Sequence, residues 1–216
     1  MKYSISLLAA CVAFGLFFTS CGPQVETLSK NDINFLSPST SSKHFVSVGQ
    51  PSHSLVLSAA GKPKDKHSMP VYDFRERQRV VRTTAYTCSE ADHLKWGSKN
   101  ATGTSLQFSD KVRSTAADWS FYPVGTLFRI KGMRQLFVVD DYGSALTGTG
   151  TIDLYKPTRS MMNQWGRRNV EISVVRWGSF ERSAQILSGR TKHEHCRRML
   201  ANITRQRPDL KHLASR

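Results

Sequence analysis

The stretch VVDDYGSALTGTGTIDLY, residues 138–155, decides the reading of this chain. Two short apolar runs flank a loop of Gly, Thr and Ser, and each run carries an aspartate at the loop. Asp141 closes the first run and Asp153 lies inside the second. Alternation in Ile152-Asp153-Leu154-Tyr155 puts Ile152 and Leu154 on one face of a strand and Asp153 on the other. A third acid, Asp118, stands upstream in STAADWSFYPVGTLFRI, residues 114–130.

Working outward, bulky and polar residues alternate in VVRTTAYT (80–87), and TLFRIKG (126–132), QLFVVDD (135–141), TIDLY (151–155) and VEISVVRWG (170–178) read as further strand-like runs. Each run is short, rich in β-branched residues and bounded by turn formers, which predicts strands. Thr158 to Trp165 is the one helix predicted inside this block, with Gly166 ending it. Short strands with one small helix in about a hundred residues predict a mainly β fold closed into a barrel. After Trp177 the chain turns helical and basic, and HEHCRRMLANITRQR (193–207) mixes apolar and Arg positions at helical spacing. Such a segment reads either as an arm for anionic polymer or lipid, or as a solvated helix packed on the barrel. The second reading is favoured, because runs of charge usually face water.

The chain has 216 residues, a net charge of +15 and a pI near 10.1, with 39% hydrophobic residues. That balance favours an anionic partner: nucleic acid, anionic lipid or an acidic wall polymer. The N-terminus chooses among them. Lys2 precedes an apolar run from Ile5 to Phe18, followed by Thr19-Ser20-Cys21-Gly22. The run has signal-peptide length and is short for a membrane span. Small residues before Cys21 resemble a bacterial lipobox, although Phe18 stands where Leu is usual. The expectation is an exported protein on the periplasmic side of a bacterial membrane, lipid-anchored at Cys21, with no nucleic-acid partner. Four segments follow: a signal over 1–21, a flexible Ser/Pro/Lys-rich tether over 22–78, a barrel over 79–180, and a basic helical tail over 181–216.

Cys88 and Cys196 remain in the exported part. Export permits a disulfide between them, which sequence alone cannot place. His193-Glu194-His195-Cys196 looks metal-like, but adjacent side chains diverge on a helix, so no metal or cofactor is expected.

A general acid near neutral pH must hold its proton against an ordinary aspartate pKa near 3.9. Burial and a second carboxylate both favour the neutral form. Asp153 with Asp141, or its neighbour Asp140, has the composition for such tuning; the alternative is that Asp141 and Asp118 only brace turns. Tyr86 and Tyr142 are expected in a groove, while Trp165 and Trp177 read as core. Trp96 and Trp119 also lie near the motif segments, and Lys95, Lys99 and Arg113 could meet substrate carboxylates.

The block resembles the three-aspartate (3D) domain, the double-psi β-barrel related to membrane-bound lytic transglycosylase A. Thr84-Ala85-Tyr86-Thr87 matches its opening strand, and Ala101-Thr102-Gly103 the Gly/Ala/Thr segment that follows. Ala117-Asp118 precedes the turn Pro123-Val124-Gly125-Thr126. The most specific piece is Asp141-Tyr142-Gly143-Ser144-Ala145-Leu146-Thr147-Gly148 with Ile152-Asp153-Leu154-Tyr155. The resemblance spans roughly Val80 to Trp177 and implies a six-stranded double-psi barrel. It implies peptidoglycan as substrate and non-hydrolytic cleavage between N-acetylmuramic acid and N-acetylglucosamine, giving a 1,6-anhydro product. Asp153 matches the acid that protonates the leaving oxygen, with Asp141 and Asp118 as supporting acids. Tyr86, Thr102, Tyr142 and Gly143 fall where substrate would bind. Tyr142 and Ser144 replace smaller family residues and are expected to narrow the groove; Thr147 stands where Lys is frequent. A non-catalytic wall-binding lipoprotein, a rare-lipoprotein-A-like glycan cutter and, as a minor reading, a cation site formed by the three acids are the alternatives.

Overall fold

The computed structural model describes residues 48–90, 94 and 97–214. The expected signal over 1–21, Cys21, the first part of the tether, and Lys95 and Trp96 lie outside the described residues.

Six strands, β1 (Gln78–Tyr86), β2 (Val112–Ala117), β3 (Leu127–Ile130), β4 (Leu136–Asp141), β5 (Ile152–Tyr155) and β6 (Arg168–Arg176), pair in the closed order β1-β5-β2-β4-β3-β6. The pairs β1–β5 and β2–β4 are parallel, and the others are antiparallel. Five strands coincide with the strand-like runs of the sequence. The sixth, β2, has the sequence VRSTAA and offers no large apolar residue for periodicity to register. Its Ser114, Thr115, Ala116 and Ala117 are nevertheless buried, because neighbours close over it on both faces.

The odd-face residues of the strands fill the barrel. Val81, Ala117, Phe128, Ile130, Phe137, Val139, Ile152, Leu154, Val170, Ile172 and Val174 form one buried cluster. Fully burying a side chain such as Phe128 or Ile172 contributes about 1.5–3 kcal/mol, so this interior dominates the stability.

Among the described residues four α-helices surround the barrel: α1 (His53–Ala60), α2 (Arg159–Trp165), α3 (Phe180–Ser188) and α4 (Glu194–Gln206). The expected internal helix is α2. Thr158 Oγ1 accepts from Met161 N at 3.2 Å to start it, and Gly166 ends it at φ +60°. In α4, Cys196, Met199, Leu200 and Ile203 are buried at i, i+3, i+4 and i+7, a stripe of helical period. With Phe180, Ala184 and Leu187 of α3 they join the same buried cluster as the barrel. The basic tail is therefore packed on the barrel, with Arg197, Arg198 and Arg205 exposed.

Residues 48–77 differ from the tether expected there. Ser52 N donates to Glu171 Oε2 at 2.8 Å, α1 follows, and Met69 and Tyr72 are buried. Asp65 Oδ1 accepts from His67 N and Met69 N, and its Oδ2 accepts from Gly150 N at 3.0 Å. Polar composition hid this because the segment is held by hydrogen bonds and a few apolar contacts, not by a periodic face. Arg79 is buried against Tyr72, Tyr122 and Trp177, 4.8–5.5 Å from the ring centres, and donates to the carbonyls of Glu76 and Asp73. A guanidinium over aromatic faces is favourable and satisfies a charge that burial would otherwise penalise. Among the described residues, no helix is long and apolar enough to cross a membrane.

Candidate active site

Strand register brings the site together. Thr84 of β1 faces Asp153 of β5, Asp153 faces Ala116 of β2, and Ala116 faces Asp141 of β4. One row across four strands thus reads Thr84, Asp153, Ala116, Asp141. Adjacent strands lie about 4.8 Å apart, which sets the two aspartates roughly two strand spacings from each other. The small methyl of Ala116 stands between them. The row faces away from the barrel interior and toward a second, smaller buried cluster of Tyr86, Ala116, Leu146 and Tyr155.

An irregularity in the β2–β4 pairing alters the strict alternation. Thr115 faces Val139, yet Ala116 faces Asp141, so Asp140 is an extra residue in β4. A bulge of this kind re-aims side chains. Here it turns two consecutive aspartates to the same face. Asp140 Oδ2 accepts from Ser114 Oγ at 2.6 Å and from Asn100 Nδ2 at 2.8 Å. Asp141 Oδ2 accepts from the Tyr86 hydroxyl at 3.1 Å, and its Oδ1 accepts from Ala101 N at 3.1 Å and Tyr142 N at 2.9 Å.

The four acids differ in access. Asp118 is 0% exposed, and Asp140 and Asp141 are 6% exposed, whereas Asp153 is half-buried. Thr84 Oγ1 donates to Asp153 Oδ1 at 2.7 Å and orients that carboxyl. Burial, followed by the charge of Asp141, pushes Asp140 up to about 6 against the hydrogen bonds it accepts. Its Oδ1 is buried without a hydrogen-bond partner. Burial also raises Asp118, and burial with the Asp141 charge raises the Tyr86 phenol well above its usual range.

Asp118 does not join the row. Its Oδ1 accepts from Ser120 N and Oγ, both at 2.7 Å, and its Oδ2 accepts from Gly148 N at 2.6 Å. Gly148 sits at φ +79° in the loop that leads into β5. Asp118 therefore braces that loop. A second link runs from Trp119 Nε1 to the Asp141 carbonyl at 2.9 Å.

Of the expected binding residues, Tyr86 forms a wall beneath Asp141. Thr102 Oγ1 donates to Asn100 Oδ1 at 2.8 Å, inside the 99–105 hairpin that covers Asp140 and Asp141. Gly143 precedes a short 3-10 turn, Ser144–Leu146, where an added Cβ would meet Leu146 at an ordinary 3.6 Å. Tyr142 packs toward Trp119 and the C-terminal segment. Its ring sets edge-on to Trp119 at 5.0 Å, and its hydroxyl accepts from Arg190 Nη1 at 3.0 Å. Arg113 lies over Phe108 and Lys99 is exposed. Trp165 is buried and donates to Thr83 Oγ1, and Trp177 is half-buried.

Two residues of the site were absent from the sequence reading. Asn100 and Ser114 hold Asp140, as above. Lys156 is only 5% exposed, with its ammonium 4.5 Å from the Trp165 ring centre, and burial with the charges of Arg113 and Arg168 lowers it to about 8. Nothing in its local sequence marks Lys156, because the strand simply ends there. Cys88 and Cys196 are free thiols, Cys88 Sγ lying 3.8 Å from the Tyr155 hydroxyl. Among the described residues no cluster of His, Cys, Asp and Glu could hold a metal ion.

Residues 113–176 match the 3D domain family. The matched span begins in β2, ends in β6 and contains all four aspartates described above. The resemblance drawn from the motifs is thereby found independently over residues 113–176, while Thr84–Thr87 and Ala101–Gly103 lie outside the match. No curated protein matches the chain.

Proposed function

We propose that this protein is an exported peptidoglycan lytic transglycosylase, anchored by lipid at Cys21 on the periplasmic side of a bacterial membrane. Its barrel would have the double-psi connectivity that a 3D domain implies, and the family match supports a peptidoglycan-related role. The observation that carries the catalytic assignment is access. Of the four clustered acids only Asp153 is not buried, and it is held by Thr84 and faces a second acid across Ala116.

In the proposed reaction, Asp153 gives its proton to the glycosidic oxygen between N-acetylmuramic acid and N-acetylglucosamine. The C1–O bond breaks as that proton arrives. The muramic C6 hydroxyl then attacks its own C1, and the Asp153 carboxylate takes the hydroxyl proton. Water is not consumed, and the acid returns to its starting state. One accessible carboxyl suffices because the nucleophile belongs to the substrate, unlike the two-carboxylate hydrolases. The scheme requires Asp153 to keep its proton until the leaving oxygen takes it.

Incubation with purified wall polymer, read by mass spectrometry, tests this. The native protein is expected to release 1,6-anhydro-muropeptides and Asp153→Asn none. Reducing sugar ends in their place would mean hydrolysis and would overturn the mechanism. A non-catalytic wall binder is the second reading, favoured by the way Asp118 and Asp141 spend their oxygens on loop backbone. It would sediment with the wall and release nothing.

A further inference from the structure

On β1 the residues of the site face are Thr84, which holds Asp153, and Tyr86, which holds Asp141. Two residues earlier on the same face stands Arg82, roughly 7 Å from Thr84 along the strand. Arg82 opens into a cleft of about 380 Å³ lined by His67, Met69, Arg82, Arg167, Arg168 and Asn169. Register explains the convergence: Arg82 faces Asn169 and Thr83 faces Arg168, so β6 delivers its basic start beside the middle of β1. The loop bearing His67 and Met69 closes one side, fixed to the site by Asp65 Oδ2 accepting from Gly150 N and Lys66 Nζ donating to the Ala145 carbonyl.

The charge in this cleft is not neutralised from within. Arg168 is committed, donating to the carbonyls of Gln164 and Trp165. Arg82 and Arg167 form none of the salt bridges among the described residues, which join Lys62 to Glu76, Lys131 to Glu171 and Arg207 to Asp209. Two guanidiniums drawn together without an acid repel each other, and a bound oxyanion removes that cost while meeting their planar donor forks. Desolvation, then the charges of Arg82, Lys66 and Arg167, hold the His67 imidazole below its ordinary range against the pull of Asp65.

We propose that this cleft binds the free carboxylate of a short peptide, as a subsite one step along β1 from Asp153. Its size suits a peptide end and exceeds the need of a single small ion. Met69 gives an apolar floor for a small side chain, and Asn169 can pair with a peptide bond. A peptide-substituted glycan lying over Asp153 would bring such a group to this position. The cleft relies on the proposed wall substrate only for the source of the carboxylate, not for the binding.

The test is calorimetric titration of the full chain with N-acetyl-Ala-Ala, with its C-terminal amide, and with inorganic phosphate. The peptide acid is expected to bind at least ten times more tightly than the amide, and more tightly at low salt. Arg82→Gln with Arg167→Gln should weaken the acid at least ten-fold. Arg167 is exposed, so Arg167→Gln alone keeps the result readable if the double variant does not fold. Equal binding of acid and amide, or unchanged affinity in the variants, overturns the proposal. Phosphate binding more tightly than the acid, and lost in the same variants, replaces the carboxylate with a phosphate group and also overturns it. The titration needs no turnover: a chain that binds the acid but yields no anhydro-sugar keeps the cleft and loses the glycan-cleaving reading.

Discussion

Asp141 and Asp153 are the two register partners of Ala116, one on each side, so a single methyl separates the buried acid of the site from the accessible one. The pair belongs to different strands that never pair with each other. Their relation exists only because β2 runs between them.

The two acids are expected to fail differently. Asp141 accepts from two backbone N–H groups and a phenol inside the protein. Asp141→Asn turns an amide N–H toward one of those donors and should cost about 1–3 kcal/mol of stability. Asp153→Asn removes only a half-buried acid and should leave the melting temperature within a few degrees while stopping anhydro-sugar release. Thermal melting of both variants beside the digestion assay checks this, and equal destabilisation would refute it.

Asp140 should make stability depend on pH. Its folded pKa, about 6, lies above the unfolded value near 3.8. Between those values the folded state holds the extra proton, so this group's contribution is full below about pH 4 and lost as pH rises through 6. The loss is at most about 3 kcal/mol, from roughly 1.4 kcal/mol per pKa unit. Asp140→Asn keeps acceptor capacity toward Ser114 and Asn100, and should flatten denaturant midpoints between pH 4 and 7. A pH profile identical to the native one would count against the burial argument.

Arg190 ties the C-terminal helices to the site. It donates to the Ala101 carbonyl at 2.8 Å and to the Tyr142 hydroxyl at 3.0 Å, while Ala101 N and Tyr142 N both donate to Asp141 Oδ1. Arg190→Met should loosen the 99–105 hairpin, lowering turnover several-fold with a global stability loss of about 1 kcal/mol. Hydrogen exchange is the discriminating measurement: the Ala101 amide should lose protection while the Val139 amide in the barrel keeps it.

Gly178 packs backbone to backbone against the Pro123–Thr126 turn. A Cβ there would lie 2.2 Å from the Val124 carbonyl oxygen and 2.3 Å from that of Pro123. Both obstacles are backbone, and Gly178 N donates to Thr126 Oγ1 at 3.0 Å beside them. Gly178→Ala should destabilise by about 3 kcal/mol or more, or prevent soluble expression. Gly61→Ala, which meets nothing within 4 Å, is the control expected to be neutral.

Much of this protein can be read locally. Strand-like runs mark five strands, Thr158 and Gly166 bound the inner helix, and the spacing of Asp118, Asp141 and Asp153 carries the 3D resemblance that the family match supports over residues 113–176. These are properties of neighbours in sequence, where side-chain period and capping chemistry act. What only the tertiary structure decided depends on which strands lie side by side. β2 is a strand because β4 and β5 enclose it, not because VRSTAA favours one. The bulge at Asp140 turns Asp140 and Asp141 to one face, while Tyr142 meets Arg190 and Asp118 braces Gly148. Register and bulges come from contacts between residues far apart in the chain, and no local pattern encodes which neighbour a side chain will meet.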